Sequence, residues 1–252
     1  MGSPEGYDAA TYGDAIADVY DDLPTHPPDA DEAAELLAEV AGSGPALELA
    51  IGTGRIALPL VRRGVAVSGI DASEAMVARL RAKPGGERLP VTIGDFADVD
   101  VDGRFALVFV VYNTFFALLD QASQQRCFRR VAEHLAPGGR FVIEAFVPDL
   151  SRFERGQRVE VRHIDSESAL LMLSRHRPAA QRVDSMLIRI ANDSVRTWPV
   201  PIRYSYPSEL DLMAEQAGLQ PEHRWGGWAR QPFTDASVKH VSVYAPTAAG
   251  TH

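Results

Sequence analysis

The chain has a single cysteine, Cys127, and only two lysines, Lys83 and Lys239, among its 252 residues. One thiol excludes an internal disulfide framework and accords with a reducing compartment, the cytoplasm. One thiol also cannot complete a thiolate metal site, and the histidines lack metal-ligand spacing. The longest apolar run, Phe105 to Leu119, is interrupted by Asn113 and Thr114 and falls short of the roughly 18 residues of a membrane span. "MGSPEGYDAA" has no basic start followed by an apolar stretch, so it does not read as a secretory signal. Gly6 stands where a myristoylation motif needs Ser or Thr. There is no basic stripe, no internal repeat and no low-complexity tract. With a formal net charge of −9, the chain lacks the phosphate-neutralising surface of a nucleic-acid binder.

Hydrophobic residues at 46% and charged residues at 23% are ordinary for a soluble globular protein. The length suffices for one large α/β domain with an insertion. Tyr12, Ile16, Val19 and Tyr20 fall near one side of a helix over Tyr7 to Leu23, which "LPTHPPD" ends because clustered prolines forbid helix continuation. A second helix is expected from Asp29 to Ala41, entered by acidic residues. Strand and helix then alternate: Ala46 to Ala50, Arg55 to Arg63, Val65 to Ile70, Ser73 to Arg81, Val91 to Ile93, Phe105 to Val111, Gln121 to Leu135, Arg140 to Ala145. That rhythm predicts a parallel sheet covered on both faces. After Pro148 about 50 residues hold several strand-like runs joined by turns, an expected antiparallel insertion. A last helix, Ser208 to Ala217, and strands at Gln220 to Trp225 and Val238 to Tyr244 close the chain. The expected division is a helical cap over 1–42, a core over 43–150, the insertion over 151–206 and the closing elements over 207–252.

The first strand-to-helix turn, "ALELAIGTGRIALPLVRRG", fits G-x-G-x-x-A, and its glycines allow a backbone to pass close to a ligand. By itself that pattern suits a dinucleotide pyrophosphate. Glu48, four residues before Gly52, argues against one: a buried carboxylate needs a partner, and an ammonium group suits it where a pyrophosphate does not.

With these residues the stretch resembles the first motif of class I S-adenosylmethionine-dependent methyltransferases. Three further stretches follow in the family's order: "VSGIDASEAMV", "VTIGDFADV" and "HLAPGGRFVIEAF". The resemblance covers roughly residues 40 to 147 and implies a Rossmann-like seven-stranded sheet with S-adenosylmethionine as cofactor. It implies that Asp71 grips the ribose hydroxyls and that Asp95 and the NH of Phe96 meet the adenine. It sets Ala50, Gly52, Gly54, Arg55, Ala72 and Met76 against the cofactor, with Tyr12 or Tyr20 reaching its carboxylate. Asp71 can at the same time cap the following helix, and the two tyrosines can instead serve as amphipathic core.

Methyl transfer to an amine needs little beyond placement, whereas phenols, hydroxyls and carbon acids need a base. "VVYNTFFALLD" after the fourth strand lacks the Asn/Asp-Pro-Pro-Tyr/Phe pattern of enzymes that methylate exocyclic amines of DNA bases or protein glutamine. Cys127 lies on a helix and not in a Pro-Cys nucleophile motif. These absences point to a small-molecule acceptor. Tyr112 and Asn113 at one strand end and Glu144 and Phe146 at the next should frame the pocket, with Trp198, Trp225, Trp228 and Phe233 as candidate walls. Tyr112 and His163 are the candidate catalytic residues, and His176 and His240 are further candidate bases. The layout is similar to that of bacterial sugar N,N-dimethyltransferases and other natural-product methyltransferases, and implies a homodimer paired through the insertion. Two alternatives stand beside this reading: a nicotinamide-dependent oxidoreductase and a non-catalytic protein that binds the cofactor.

Overall fold

The computed structural model describes residues 6–24, 28–192 and 194–247. The amino-terminal targeting readings and the proline turn fall largely on residues outside these ranges. A central mixed sheet is built from β1 (Ala46–Leu49), β2 (Val67–Asp71), β3 (Val91–Ile93), β4 (Phe105–Val110), β5 (Leu135–Phe146), β11 (Leu219–Trp225) and β12 (Lys239–Pro246). Its order is β11-β12-β5-β4-β1-β2-β3. β1 runs parallel to both β2 and β4, and β12 runs antiparallel to β5. The strand order therefore reverses beside β1, and the carboxyl ends of β1 and β4 open a crevice there. All four residues of β1 are buried, as a strand covered on both faces requires.

Helices α2 (Ala30–Ala41), α3 (Ala57–Arg62), α4 (Glu74–Arg81), α5 (Gln121–His134) and α6 (Pro207–Gln216) cover this sheet. In α5 the buried Gln124, Cys127, Phe128 and Val131 recur at helical spacing, and the Asp120 carboxylate caps the first turn by accepting from Ser123 N at 2.8 Å. One core cluster on the sheet contains Phe115, Phe128, Phe141 and Tyr244; the other contains Leu37, Leu60, Phe109 and Trp228.

The predicted opening helix is much shorter than its periodicity suggests. α1 covers Thr11–Ile16 and is followed by a separate 3-10 turn at Tyr20–Asp22. Tertiary contacts claim the carbonyls that a longer helix would use: Trp198 Nε1 donates to Ala15 O at 2.8 Å, and the Arg79 guanidinium donates to Asp18 O. The insertion is antiparallel as expected: β6 (Gln157–Ile164), β7 (Ser168–Arg177), β8 (Arg182–Ala191), β9 (Ser194–Pro199) and β10 (Ile202–Arg203). Its inner face presents Leu170, Leu187 and Trp198 to Ile16 and Ala17, forming a third core cluster. Its outer face leaves Val159, Val161, Leu173, Met186, Ile190 and Val195 exposed.

Candidate functional site

A cleft lies over the end of β1, lined by Glu48, Ala50, Gly52 and Arg55, by Tyr20 from the 3-10 turn, and by Tyr112 beyond β4. The glycine turn has two different reasons for its glycines. At Gly54, with φ of 79°, an added Cβ would sit 2.2 Å from Cδ1 of Leu80, a buried residue of α4, so the turn packs too closely on that helix to admit one. At Gly52, with φ of 55°, it would meet nothing closer than Ala50 O at 3.9 Å. That space is open to a ligand, and the positive φ favours glycine.

Glu48 is 4% exposed, yet its Oε2 has no hydrogen-bond partner. The Ala57 NH, at the start of α3, donates to the carboxylate, but burial still holds its pKa well above the usual range, helped by the charge of Asp71. A buried carboxylate oxygen left this way carries a desolvation cost that a cationic ligand group would relieve. Asp71, at the end of β2, accepts from Gly52 N at 2.7 Å through Oδ2 and from Ser73 N at 2.9 Å through Oδ1. Burial raises its pKa against the lowering effect of those two bonds. The cap of α4 is Ser73, whose Oγ accepts from Met76 N at 3.1 Å and donates to Asp14 Oδ1 at 2.6 Å. Asp71 is therefore not the helix cap; it ties the second strand to the glycine turn.

Across the strand order, Tyr112 and Asn113 adopt φ of 54° and 65°. Such angles are strained for residues with a Cβ and persist only where neighbours enforce them. The Tyr112 NH donates to Glu144 Oε2 at 2.6 Å, its OH donates to Asp29 Oδ1 at 3.2 Å, and Asn113 Oδ1 accepts from Phe146 N at 2.6 Å. The Arg55 guanidinium sits 4.0 Å over the Tyr112 ring. Burial raises the pKa of Tyr112 and of Tyr20.

Other predicted residues lie outside this cleft. Tyr12 packs against the cluster of α1 and the insertion, where burial raises its pKa, and Met76 is buried in the same cluster. Ala72 is half-buried between Asp71 and Ser73. Asp95 and Phe96 follow β3 at the sheet edge; Asp95 Oδ1 accepts from Ala97 N at 2.8 Å, and the Phe96 ring joins the core. His163 stands on the edge strand β6, where Nε2 is 2.9 Å from Asp165 Oδ2, and does not line the cleft. His176 stacks on Phe153 and bonds the Tyr204 hydroxyl at 2.9 Å. His240 is fully buried; Nδ1 lies 2.8 Å from Ser242 Oγ, and burial pulls its pKa down to about 4. None of these three histidines lines the cleft: His163 and His176 sit on insertion strands and His240 on β12, and a residue's place along a strand does not reveal what its side chain faces. Nor do the aromatics converge on one pocket: Trp198 is buried against α1, Trp228 packs on the main sheet, Trp225 stacks with His223, and Phe233 meets His240 edge-on. A wider groove lined by Asp14, Asp18, Ala75, Arg79 and Arg196 lies outside the cleft, between α1, α4 and the insertion.

Four residues around the cleft were not anticipated: Asp21, Asp29, Lys83 and Lys239. Lys83 Nζ donates to Asp21 Oδ2 at 2.7 Å and to Thr53 O at 2.8 Å. Lys239 Nζ donates to Asp29 Oδ2 at 2.9 Å and to Glu144 Oε1 at 3.2 Å. In the sequence the scarcity of lysine reads as genome-composition bias, and nothing local marks Asp21 or Asp29; the pairings appear only in the folded chain.

Residues 46–139 match the model of a methyltransferase domain family. The solved structure of the CcbJ methyltransferase from Streptomyces caelestis is 41% identical to this chain, with a TM-score of 0.92 over 96% of this chain and 100% of that one. The cypemycin N-terminal methyltransferase of a Streptomyces species is 27% identical over 78% of this chain and 81% of its own. The glycopeptide N-methyltransferase MtfA, solved in complex with S-adenosyl-L-methionine, shares the fold at 21% identity and a TM-score of 0.61, covering 91% of each chain.

Proposed function

This chain belongs to the class I S-adenosylmethionine-dependent methyltransferases, and we propose that within that family it methylates an amine nitrogen of a small-molecule natural product, with a hydroxyl oxygen as the second choice. The nicotinamide and non-catalytic alternatives are not favoured by that membership. The cofactor, when bound, supplies an electrophilic methyl group on a sulfonium. The observation that carries its placement is the unpartnered buried oxygen of Glu48 beside the open space at Gly52. In this reading Glu48 takes the ammonium of the methionine moiety, Gly52 lets the backbone approach, and Asp71 keeps lone pairs for the ribose hydroxyls while it holds the turn. Ala50, Gly54 and Arg55 shape the turn, Tyr20 and Tyr112 wall it, Tyr12 backs the wall, and Ala72, Met76, Asp95 and Phe96 lie toward the adenine end.

An amine is preferred because no histidine is among the described residues that line the cleft, and Tyr112, the catalytic candidate that does line it, donates its OH to Asp29 Oδ1 and has its pKa raised by burial. Placement and water exclusion suffice for a neutral amine, whereas a hydroxyl acceptor needs a base at the reacting atom. One relative named an N-terminal methyltransferase and one named a glycopeptide N-methyltransferase accord with that choice. Labelled methyl transfer from S-adenosylmethionine to a panel of small amines and matched alcohols tests it. The expected result is label in the amines, at a rate that rises with pH through the acceptor's own pKa, and near-normal turnover in His163→Ala. Label in alcohols alone, or turnover lost in His163→Ala, would reverse the assignment.

We further propose a cytoplasmic homodimer, with the segments 1–42, 43–150, 151–206 and 207–252 acting as cap, cofactor core, pairing insertion and closing elements. A lone buried thiol accords with the location. Among the described residues no helix is long and apolar enough to cross a membrane. The exposed Val159, Val161, Leu173, Met186, Ile190 and Val195 share one sheet face, an apolar field of a kind that monomers rarely leave open. Two copies of that face match in size and polarity and can pack as sheets do. Sedimentation should show a dimer for the wild-type chain and a monomer for Val161→Asp; a monomeric wild type would end the idea.

A further inference from the structure

We propose that Lys83 and Lys239, the chain's only lysines, are positioning residues for the cofactor cleft, each fixing one of its two tyrosine walls. Neither lines the cleft. Lys83 closes a ring of three bonds: its ammonium donates to Thr53 O and to Asp21 Oδ2, while Thr53 Oγ1 donates to Asp21 Oδ1 at 2.6 Å. Asp21 adjoins Tyr20, so the ring fastens the 3-10 turn that carries Tyr20 onto the glycine turn itself.

Lys239 does the equivalent on the other side. The two carboxylates it pairs with, Asp29 and Glu144, use their remaining oxygens to hold Tyr112 by its OH and its NH. Those side chains are 15% and 5% exposed, so without the ammonium the two would stand close together with little solvent to screen their repulsion. Separation of the two acids would loosen the bonds that hold Tyr112 at its strained φ of 54°. A lysine suits both places better than an arginine: a compact ammonium directs its three donors to acceptors on different segments, whereas a guanidinium fork is built for one planar partner.

The proposal rests on the placement of S-adenosylmethionine in this cleft, and one titration series separates the two. Lys83→Met and Lys239→Met keep the aliphatic stem and remove the charge. Isothermal titration with S-adenosylhomocysteine should show each binding about tenfold more weakly than wild type. Amide hydrogen exchange of the ligand-free protein should rise locally, at residues 20–22 for the first variant and 112–113 for the second. In a Tyr20→Ala background Lys83→Met should then cost less than about twofold, and likewise Lys239→Met in a Tyr112→Ala background, because the lysine acts through the tyrosine. Should a methionine variant fail to fold, Lys→Arg at the same position is expected to bind with an intermediate loss and the same coupling. Failure of the wild-type chain to bind overturns the cofactor placement. Binding by wild type with undiminished affinity in the variants, or additive losses in the tyrosine-less backgrounds, overturns the lysine roles alone.

Discussion

Glu48→Gln is expected to weaken S-adenosylhomocysteine binding by about 10- to 100-fold and, at the same time, to stabilise the ligand-free protein at neutral pH. The affinity loss follows from exchanging a charge-assisted hydrogen bond, worth about 1.5–3 kcal/mol, for an amide that presents either a neutral oxygen or an NH2 to the ligand's ammonium. The stability gain follows from linkage. Burial raises the folded-state pKa of Glu48, whereas the unfolded chain titrates near about 4.3. Between those values the folded state binds more protons than the unfolded one, so stability falls as pH rises from about 4 through the raised folded value and is level above it. Glutamine has no charge to bury and loses that slope. Asp71 and Glu144, also raised by burial, contribute in the same direction in both proteins. Urea midpoints of the two ligand-free proteins at acid and neutral pH provide the check: the gap should open as pH rises. Parallel profiles would show that Glu48 pays no burial cost, and with that the reason for assigning it a cationic ligand group would go.

Asp71→Ala should lower cofactor affinity by a similar amount, about 1.5–3 kcal/mol for hydrogen bonds to a charged group, but with stability moving the opposite way. The carboxylate accepts from Gly52 N and Ser73 N, so its removal leaves donors in a largely buried turn without their partner, at about 1–3 kcal/mol each where no water replaces it. Asp71→Asn keeps one acceptor and brings an NH2 toward a backbone NH, and should lie between wild type and alanine. The pairing of Glu48→Gln and Asp71→Ala is informative because both weaken binding while only the second destabilises the apo protein. Calorimetric titration with S-adenosylhomocysteine and thermal unfolding read both effects. A folded Asp71→Ala chain with unchanged affinity would remove the residue from the ribose site.

The alternation of strands and helices, the antiparallel insertion and the glycine turn were legible in the sequence because each is written in local terms: apolar periodicity, turn residues, and an acidic residue where the strand should be apolar. Element limits from α2 to β5 and from α6 to β12 fall within a few residues of the reading, the early start of β5 being the largest departure. The opening helix is the exception, and the cause is non-local. Its periodicity runs on to Tyr20, but Trp198 and Arg79, far along the chain, take the carbonyls of Ala15 and Asp18. The histidine candidates lie away from the cleft for a related reason. A residue type on a strand shows what chemistry is available, not what it faces, and His163, His176 and His240 each find a partner away from the cleft.

Short-range order therefore decided the kind of fold, the cofactor class and the turn that approaches it, since a motif whose residues lie within a few positions of one another carries its geometry with it. Only the tertiary structure decided how the walls of the cleft are held. Asp21 meets Lys83 and Thr53 across 62 and 32 positions of chain, and Asp29 meets Lys239 across 210. Such pairings are set by the crossing of sheet and cap in space, and no spacing rule in a linear sequence records them.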